Sequence, residues 1–276
     1  MFYFFLPNQT ILTYGYIIFS ITAITLMGVL DDLYHIRNFL RFAVQSFLAI
    51  FFLQIIGVEK IFWLPTIIFI VYFINSYNFM DGIDIIAASQ AIFMSSILLI
   101  LTDSFSELNL LIIVLSLGFL CFNYSPAKLF LGSAGSYFYG MFFIILFINL
   151  IYVDEITIFT AAIIYSLFLT DTIYSIIVRF LHNYSNEKNS DTLINKIFSS
   201  TKFVCQRHVT HNYQKLTKKY LNHTKVCLIL MAYNILFCAP LAYISHNYNE
   251  FSYICFILSI FPYIMWCNLN KAGLNT

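Results

Sequence analysis

The chain has 276 residues, of which 61% are hydrophobic and 10% charged, and its mean hydropathy is +0.82. A water-soluble domain carries about 25% charged residues, so these values exclude a soluble globular protein and indicate that lipid covers much of the surface. The net charge of +1 identifies no partner by itself, and we expect no nucleic-acid binding.

Nine apolar segments approach the length of a membrane-spanning helix, which needs roughly 17 to 25 mostly apolar residues. They cover about 11–30, 41–57, 61–76, 86–102, 108–123, 136–152, 156–178, 225–246 and 251–268. The sequence therefore predicts an all-α, polytopic membrane bundle of about nine transmembrane helices, which forms one domain over residues 1–276. A long polar stretch at 179–225 is predicted to be a loop within that domain.

The basic residues are distributed unequally between the two sides of this predicted bundle. Of the fourteen Lys and Arg residues, all but Lys60 fall on one side. Basic loops are retained in the cytoplasm, so this side is predicted to be cytoplasmic.

Four polar segments lie on the same side, each next to a predicted span. The first contains Asp31 and Asp32, and the second is NSYNFMDGID at 75–84. The third is NYSPAKLFLGSAGS at 123–136, and the fourth is the 179–225 loop, which contains HVTHNYQ. Carboxylates beside hydrocarbon are costly unless they meet water, a cation or a metal. The grouping therefore predicts a functional site at one membrane surface.

The residue types in these segments suit a phosphorylated ligand. Adjacent carboxylates repel each other, and Mg²⁺ relieves that repulsion while it binds substrate phosphates. Backbone amides in glycine-containing turns can hold phosphate oxygens, and Lys128 and Arg207 supply positive charge. Each segment also has an ordinary interpretation, as a solvated acidic turn, a flexible GSAGS loop or loop histidines that bind nothing. The residues alone do not identify a reaction.

Taken in chain order, the segments resemble the polyprenyl-phosphate N-acetylhexosamine-1-phosphate transferases, a family that includes the translocase of the first lipid step of peptidoglycan synthesis. The family pattern is an Asp-Asp pair, N-x-x-N-x-x-D-G-x-D-G, N-x-x-P-A-x-x-F-x-G-D-x-G-S and a His-containing loop. The matching residues here are Asp31, Asp32, Asn75, Asn78, Asp81, Gly82, Asp84, Asn123, Pro126, Ala127, Phe130, Gly132, Gly135, Ser136, His208 and His211. The HVTHNYQ box is most similar to the branch that initiates O-antigen, a part of lipopolysaccharide, and similar surface polysaccharides.

The resemblance implies that undecaprenyl or another polyprenyl phosphate attacks the β-phosphate of a UDP-N-acetylhexosamine, releasing UMP and starting a lipid-linked glycan. It implies a bacterial inner-membrane location, Mg²⁺ or Mn²⁺ as cofactor, and an N-acetylated 6-deoxyhexose as one candidate donor sugar. A homodimer is a further alternative. By analogy, the catalytic residues are Asp31, Asp32, Asp81 and Asp84, of which Asp32, Asp81 and Asp84 bind the metal. The implied substrate-binding residues are Asn75, Asn78, Lys128, Gly132, Ser133, Arg207, His208 and His211.

Three departures from the family pattern bear on activity. Ser133 replaces the Asp that is a metal ligand in the family, and Ile85 replaces a Gly. The chain also has one span before the Asp-Asp pair, so we expect a domain that lacks about two N-terminal spans. A catalytically impaired relative that binds lipid or partners is therefore an alternative to the transferase. A transporter is the third alternative, disfavoured because the acidic residues lie at one interface and not at the membrane midplane.

Overall fold

The computed structural model describes residues 11–187, 193–204, 206 and 208–274. Within these ranges the chain is an α-helical bundle without strands, which confirms the predicted fold class. The helices are α1 (Ile11–Tyr34), α2 (Asn38–Ile56), α3 (Trp63–Met80), α4 (Ile86–Leu101), α5 (Ser106–Asn123), α6 (Gly132–Tyr152), α7 (Ile158–Ile164), α8 (Ser166–Asn186), α9 (Leu193–Val204), α10 (Asn212–Tyr220), α11 (His223–Tyr233), α12 (Ala239–Asn247) and α13 (Ser252–Leu269).

Each of the nine predicted apolar segments coincides with helix in the structure. Seven helical stretches are long and apolar enough to cross a membrane, and the bent pair α7–α8 makes an eighth if it counts as one span. The remaining predicted span corresponds to α4, which has only 16 residues. The described residues therefore confirm a polytopic helical membrane protein with seven or eight candidate spans.

The predicted span at 156–178 is not one straight helix, because α7 and α8 meet at an angle of 83°. The bend lies at Tyr165, whose buried ring stacks on Phe73 with ring centroids 3.9 Å apart. The hydroxyl groups of Tyr165 and Ser76 are 2.6 Å apart. No Pro or Gly occurs in 158–186, so packing against α3, and not a local helix breaker, accounts for the bend.

Helix α6 is the centre of the bundle. In its apolar stretch 72% of the residues are buried, against 22–33% in the other candidate spans. Helix α1 packs closely on the first turn of α6, where a Cβ atom added to Gly28 would lie 2.5 Å from the Cα atom of Ala134. Only Gly permits this approach, which places the C-terminal end of α1 beside the N-terminus of α6.

The 179–225 stretch, predicted to be a long loop between spans, is largely helical in its described residues. Helix α8 continues to Asn186, α9 and α10 lie within the stretch, and α11 begins at His223. Helices α8, α9 and α10 are amphipathic, so their polar residues hid the helical period in a hydropathy-based interpretation.

Candidate active site

A cavity of about 1040 Å³ opens between α1, α2, α3, α8 and the segment before α10. It brings together seven of the predicted site residues, which are Asp31, Asp32, Asn75, Asn78, Ser133, His208 and His211. The predicted residues Asp81, Asp84, Lys128 and Gly132 do not line it. Arg207 lies outside the described residues.

Asp31 lies in the last turn of α1 and forms a largely buried ion pair with Arg41. Its Oδ2 atom accepts a hydrogen bond from Arg41 Nη1 at 2.8 Å, and the Tyr137 hydroxyl donates to the same oxygen at 3.4 Å. Arg41 Nη2 donates to Asn38 Oδ1 at 2.6 Å, and its buried Nε has no partner among the described residues. Because Arg41 also lines the cavity, the ion pair places a positive group beside the carboxylates of Asp31 and Asp32.

Asp32 accepts hydrogen bonds from the first turn of α6. The backbone N–H groups of Ser133 and Ala134 donate to its two carboxylate oxygens at 2.9 and 3.2 Å. The positive end of the helix dipole and the free N–H groups favour a carboxylate at this point. Gly132 begins the helix with φ 68°, and an added Cβ would lie 2.6 Å from Asp32 Oδ2. Gly132 therefore lets Asp32 approach the helix end.

The two predicted Asn residues hold neighbouring helices in place around the cavity. Asn75 Nδ2 donates to Gln45 Oε1 on α2 at 2.6 Å. Asn78 Oδ1 accepts from the Ser136 hydroxyl on α6 at 2.8 Å. Both amides also line the cavity, so they can contact a ligand as well as fix the wall.

Asp81 follows the last residue of α3. Burial raises the pKa of the Asp81 carboxyl well above its ordinary value, and the nearby negative charge of Asp32 raises it further. A buried carboxyl group next to a second carboxylate is a site where a cation is stabilising.

Asp84 lies in a different environment from Asp32. Its Oδ2 atom is 3.1 Å from His223 Nδ1 and accepts a hydrogen bond from the backbone N–H of Ala127 at 3.3 Å. Lys128, the next residue, is exposed. Asp84 therefore links the α3–α4 connection to the α5–α6 connection and to α11.

Ile85, which stands where the family has Gly, keeps the backbone conformation that a Gly adopts easily. Its φ is 77° and its ψ is −36°, and its backbone N–H donates to Asn123 Oδ1 at 2.7 Å. A β-branched residue with positive φ is strained. The turn therefore carries backbone strain at Ile85, at a cost in stability.

His211 is held by a buried carboxylate on α8. Its Nδ1 atom lies 3.2 Å from Asp171 Oδ1, and the residues are 3% and 0% exposed. Asp171 also accepts hydrogen bonds from the backbone N–H groups of Asn212 and Tyr213 and from the Tyr263 hydroxyl, at 2.9, 3.1 and 2.9 Å. Because the carboxylate accepts a hydrogen bond from Nδ1, the Nε2 edge of the ring is left for the cavity.

His208 stands next to His211, with ring centroids 4.8 Å apart. Its Nδ1 atom is 2.9 Å from the Thr210 hydroxyl. Burial, followed by the nearby charges of His211 and Arg179, lowers the pKa of His208 to about 3. At neutral pH the His208 ring is therefore uncharged and can donate or accept a hydrogen bond.

The metal ligands implied by the resemblance were Asp32, Asp81 and Asp84. Among the described residues, no three His, Cys, Asp or Glu side chains lie close enough together to hold a metal ion. Asp84 does not complete such a group, because its carboxylate contacts His223 Nδ1 and the backbone N–H of Ala127. The pair Asp32–Asp81 still suits Mg²⁺, which is often held by one or two carboxylates plus substrate phosphates.

Two charged residues of this region had no predicted role. Asp171 is the sole acidic residue within 156–186, and Arg41 begins the predicted span at 41–57. An ionisable residue in an apolar segment is itself a signal of a functional site. That signal was present in the sequence for both residues.

The family model described as glycosyl transferase family 4 matches residues 14–151, which is half of the chain. The chain belongs to glycosyl transferase family 4. The matched part contains Asp31, Asp32, the 75–84 segment and Ser133, whereas His208 and His211 lie beyond it. The predicted resemblance is thereby confirmed.

Two named relatives agree with this membership. A probable undecaprenyl-phosphate N-acetylglucosaminyl 1-phosphate transferase of Bacillus subtilis (strain 168) is 30% identical over 183 residues, which are 58% of this chain and 51% of that protein. The undecaprenyl-phosphate alpha-N-acetylglucosaminyl 1-phosphate transferase of Thermotoga maritima is 26% identical over 229 residues, 80% of this chain and 67% of that protein. The chain thus spans about half the length of the first relative and two thirds of the second.

Proposed function

We propose that this chain transfers N-acetylglucosamine-1-phosphate, or a related N-acetylhexosamine-1-phosphate, from a UDP-sugar to undecaprenyl phosphate. The observation that carries the proposal is the mixed lining of the cavity. Carboxylates and histidines line it together with apolar side chains, which are Phe42, Ile67, Ile68, Val71, Ile176, Val204 and Val209. A lipid phosphate needs both kinds of lining, since its chain is apolar and its reacting group is anionic. The printed names of the two relatives support the acceptor and the sugar.

The proposed reaction is a phosphoryl transfer without oxidation or reduction. A phosphate oxygen of the lipid forms a bond to the β-phosphorus of the donor, and the bond from that phosphorus to the bridging oxygen breaks. UMP leaves with that oxygen, and the lipid carries a diphosphate and the sugar. Such a reaction depends mainly on positioning and charge stabilisation.

The residues of the cavity suit these requirements. Arg41 supplies positive charge for the lipid phosphate next to Asp31, and His208 and His211 face the donor as hydrogen-bonding groups. We propose that Asp32 and Asp81 hold Mg²⁺, or Mn²⁺ in its place, with the Ser133 hydroxyl nearby. When bound, the ion neutralises charge on the diphosphate.

The alternative of a catalytically impaired relative rests on Ser133. This residue lines the cavity at the N-terminus of α6, where the family has an acidic metal ligand. A neutral hydroxyl is a weaker ligand than a carboxylate for a hard cation. In this alternative the cavity binds the lipid or the nucleotide sugar without turnover.

The experiment measures UMP release by the purified chain with undecaprenyl phosphate and Mg²⁺. The donors are UDP-N-acetylglucosamine and, as the second arm, a UDP-N-acetyl-6-deoxyhexose. Release that requires both lipid and Mg²⁺ supports the proposal. Ser133→Asp is expected to raise the rate, because a carboxylate is a stronger ligand than a hydroxyl for a hard cation, and Ser133→Asn is its uncharged control. Donor binding without UMP release in either variant would favour the impaired relative.

We further propose that the cavity faces the cytoplasm of a bacterial inner membrane. The unequal distribution of Lys and Arg supports this orientation. The product would then begin a cell-surface glycan such as O-antigen. A Lys128→Cys variant checks the orientation by labelling in intact cells and in inverted membrane vesicles. A membrane-impermeant thiol reagent should label this cysteine only in the inverted vesicles.

A further inference from the structure

Helix α9 has an exposed apolar stripe on its surface. Leu193, Ile194, Ile197 and Phe198 are 64%, 76%, 44% and 72% exposed. Their spacing of one, four and five residues places them on one side of the helix. Leaving large apolar side chains in water is unfavourable, so four neighbouring ones indicate that another apolar phase covers this side.

The side of α9 that faces the protein is a different one. Ser199 donates to Glu187 Oε2 at 2.8 Å, and Asn183 Nδ2 donates to the Ser200 hydroxyl at 3.3 Å. Ser200 is fully buried, whereas the four side chains of the apolar stripe are exposed. Contacts within the described part of the chain therefore fix α9 through polar groups and leave the stripe uncovered.

The charges of α9 fit a lipid surface as the covering phase. The helix contains Lys196 and Lys202 and no acidic residue. At 100° per residue Lys202 lies about 40° beyond one edge of the apolar stripe, and Lys196 lies about 60° beyond the other edge, on the far side of the buried Ser200. Both lysines are therefore outside the stripe, and lysine side chains in such positions extend from the acyl boundary to the headgroups. Basic residues at this level are attracted to anionic lipids.

Neighbouring residues already have the character of a lipid-facing surface. Ile173, Ile177 and Leu181 form an exposed apolar row along α8, the helix on which α9 packs. The partner of α9 is therefore expected to be the same bilayer that covers this row, and not a separate protein.

We propose that α9 is an in-plane membrane helix, with its apolar stripe in the acyl boundary and its two lysines at anionic headgroups. The helix ends at Val204, which lines the cavity together with Gln206, His208 and Val209. Arg179 Nη2 donates to the Phe203 carbonyl at 2.8 Å, and the guanidinium carbon lies 4.6 Å from the Phe203 ring centroid. Docking of α9 on the bilayer thus sets the height of the histidine segment relative to the lipid headgroups.

The test measures the depth of α9 in vesicles by tryptophan fluorescence. The full chain carries Trp63→Phe and Trp266→Phe, and then either Phe198→Trp on the stripe or Lys202→Trp on the polar edge. The vesicles contain phosphatidylcholine with brominated acyl chains and phosphatidylglycerol. Quenching is expected to be several-fold stronger for Phe198→Trp than for Lys202→Trp. Gel filtration and circular dichroism check that each variant is folded.

Equal, weak quenching in both folded variants would overturn the proposal, because α9 would then lie in water. Phe198→Cys provides a second test, in sparsely loaded vesicles. Cross-linking between two copies through this cysteine would also overturn the proposal and assign the stripe to a contact between copies. A further double variant, Lys196→Gln with Lys202→Gln in the Phe198→Trp chain, should make quenching insensitive to the phosphatidylglycerol fraction. Undiminished sensitivity would contradict the role given to the lysines.

Discussion

Two carboxylate–histidine pairs contact the Phe79–Ile85 segment, and they have nearly the same separation. The nitrogen–oxygen distance is 3.2 Å for His211–Asp171 and 3.1 Å for His223–Asp84. The first pair is 3% and 0% exposed, whereas the second is 37% and 10% exposed. Only His211 lines the cavity. Equal distances therefore accompany very different electrostatic settings, because a buried pair is screened much less by water than an exposed one.

The buried carboxylate of Asp171 also accepts more hydrogen bonds than that of Asp84. Asp171 accepts two backbone N–H groups at the start of α10 and the Tyr263 hydroxyl in addition to His211. Asp84 accepts the Ala127 N–H and faces a half-exposed ring. His211 is therefore oriented by a firmly held acceptor, while His223 belongs to a peripheral link between loops.

The largest expected effect separates the two histidines. His211→Asn is expected to lower the rate of UMP release by about 10²-fold or more, since a positioned histidine contributes at least that much to proton transfer or charge stabilisation. His223→Asn, the matched control, is expected to lose less than about tenfold because its ring is partly exposed, where ion pairs contribute little, and does not line the cavity. Steady-state rates with saturating substrates check both. A greater loss for His223→Asn than for His211→Asn would contradict the different roles of the two histidines.

Asp171→Asn tests whether Asp171 orients His211. The variant keeps the shape but places a donor where acceptors are needed, so His211 loses its fixed orientation. We expect a rate loss on the order of 10- to 100-fold and a lower melting temperature. Ser175→Ala is the control, because Ser175 only contacts Asp171 from the same helix, at 3.4 Å. An unchanged rate with an unchanged melting temperature would contradict the positioning role.

Asp81, in the Phe79–Ile85 segment, makes the stability of the folded protein depend on pH. Its folded-state pKa is raised above the ordinary value of 3.8, so the folded metal-free protein binds the proton more tightly than the unfolded chain. Stability is therefore full below about pH 4 and declines as pH rises toward the folded pKa, by at most about 1.4 kcal/mol per pH unit.

Melting temperatures in a chelating buffer between pH 4 and 8 check this prediction. Asp81→Asn should remove the decline that the unmodified chain shows, while Asp103→Asn, at an exposed position, should not. If Asp81→Asn follows the pH profile of the parent, Asp81 is not the group responsible.

The smallest expected effect concerns the strained turn at Ile85. Because its φ is 77°, Ile85→Gly should be more stable than Ile85→Ala by about 1 kcal/mol or more, although Gly usually destabilises relative to Ala. Comparing these two variants cancels most of the lost side-chain packing. Thermal unfolding in detergent measures the difference, and a more stable Ile85→Ala would show that the turn is not strained.

The positions of the helices could be predicted because a bilayer demands long apolar segments, and all nine predicted segments are helical in the described residues. The common location of Asp31, Asp32, Asn78 and Ser133 could also be predicted, since each follows or precedes a span on the same side. These features depend on local composition and on the number of spans between two segments, both of which a hydropathy plot shows.

The rest depends on contacts between distant residues. The bend at Tyr165 arises from Phe73 and Ser76 on another helix, and the position of His211 depends on an acceptor 40 residues earlier. The helices within 179–225 were missed because their polar faces resemble a loop in a hydropathy plot. The separation of Asp84 from Asp32 likewise follows from His223, far along the chain.

The proposed function is that the cavity transfers a sugar together with one phosphate to a lipid. The most direct measurement uses UDP-N-acetylglucosamine that carries ³²P in the β-phosphate, with undecaprenyl phosphate, Mg²⁺ and the purified chain. We expect the label to move into the lipid fraction together with the sugar while unlabelled UMP is released, and we expect His211→Asn to slow both greatly. Sugar in the lipid fraction with the label left in UDP, or no transfer in either the parent chain or Ser133→Asp, would contradict it.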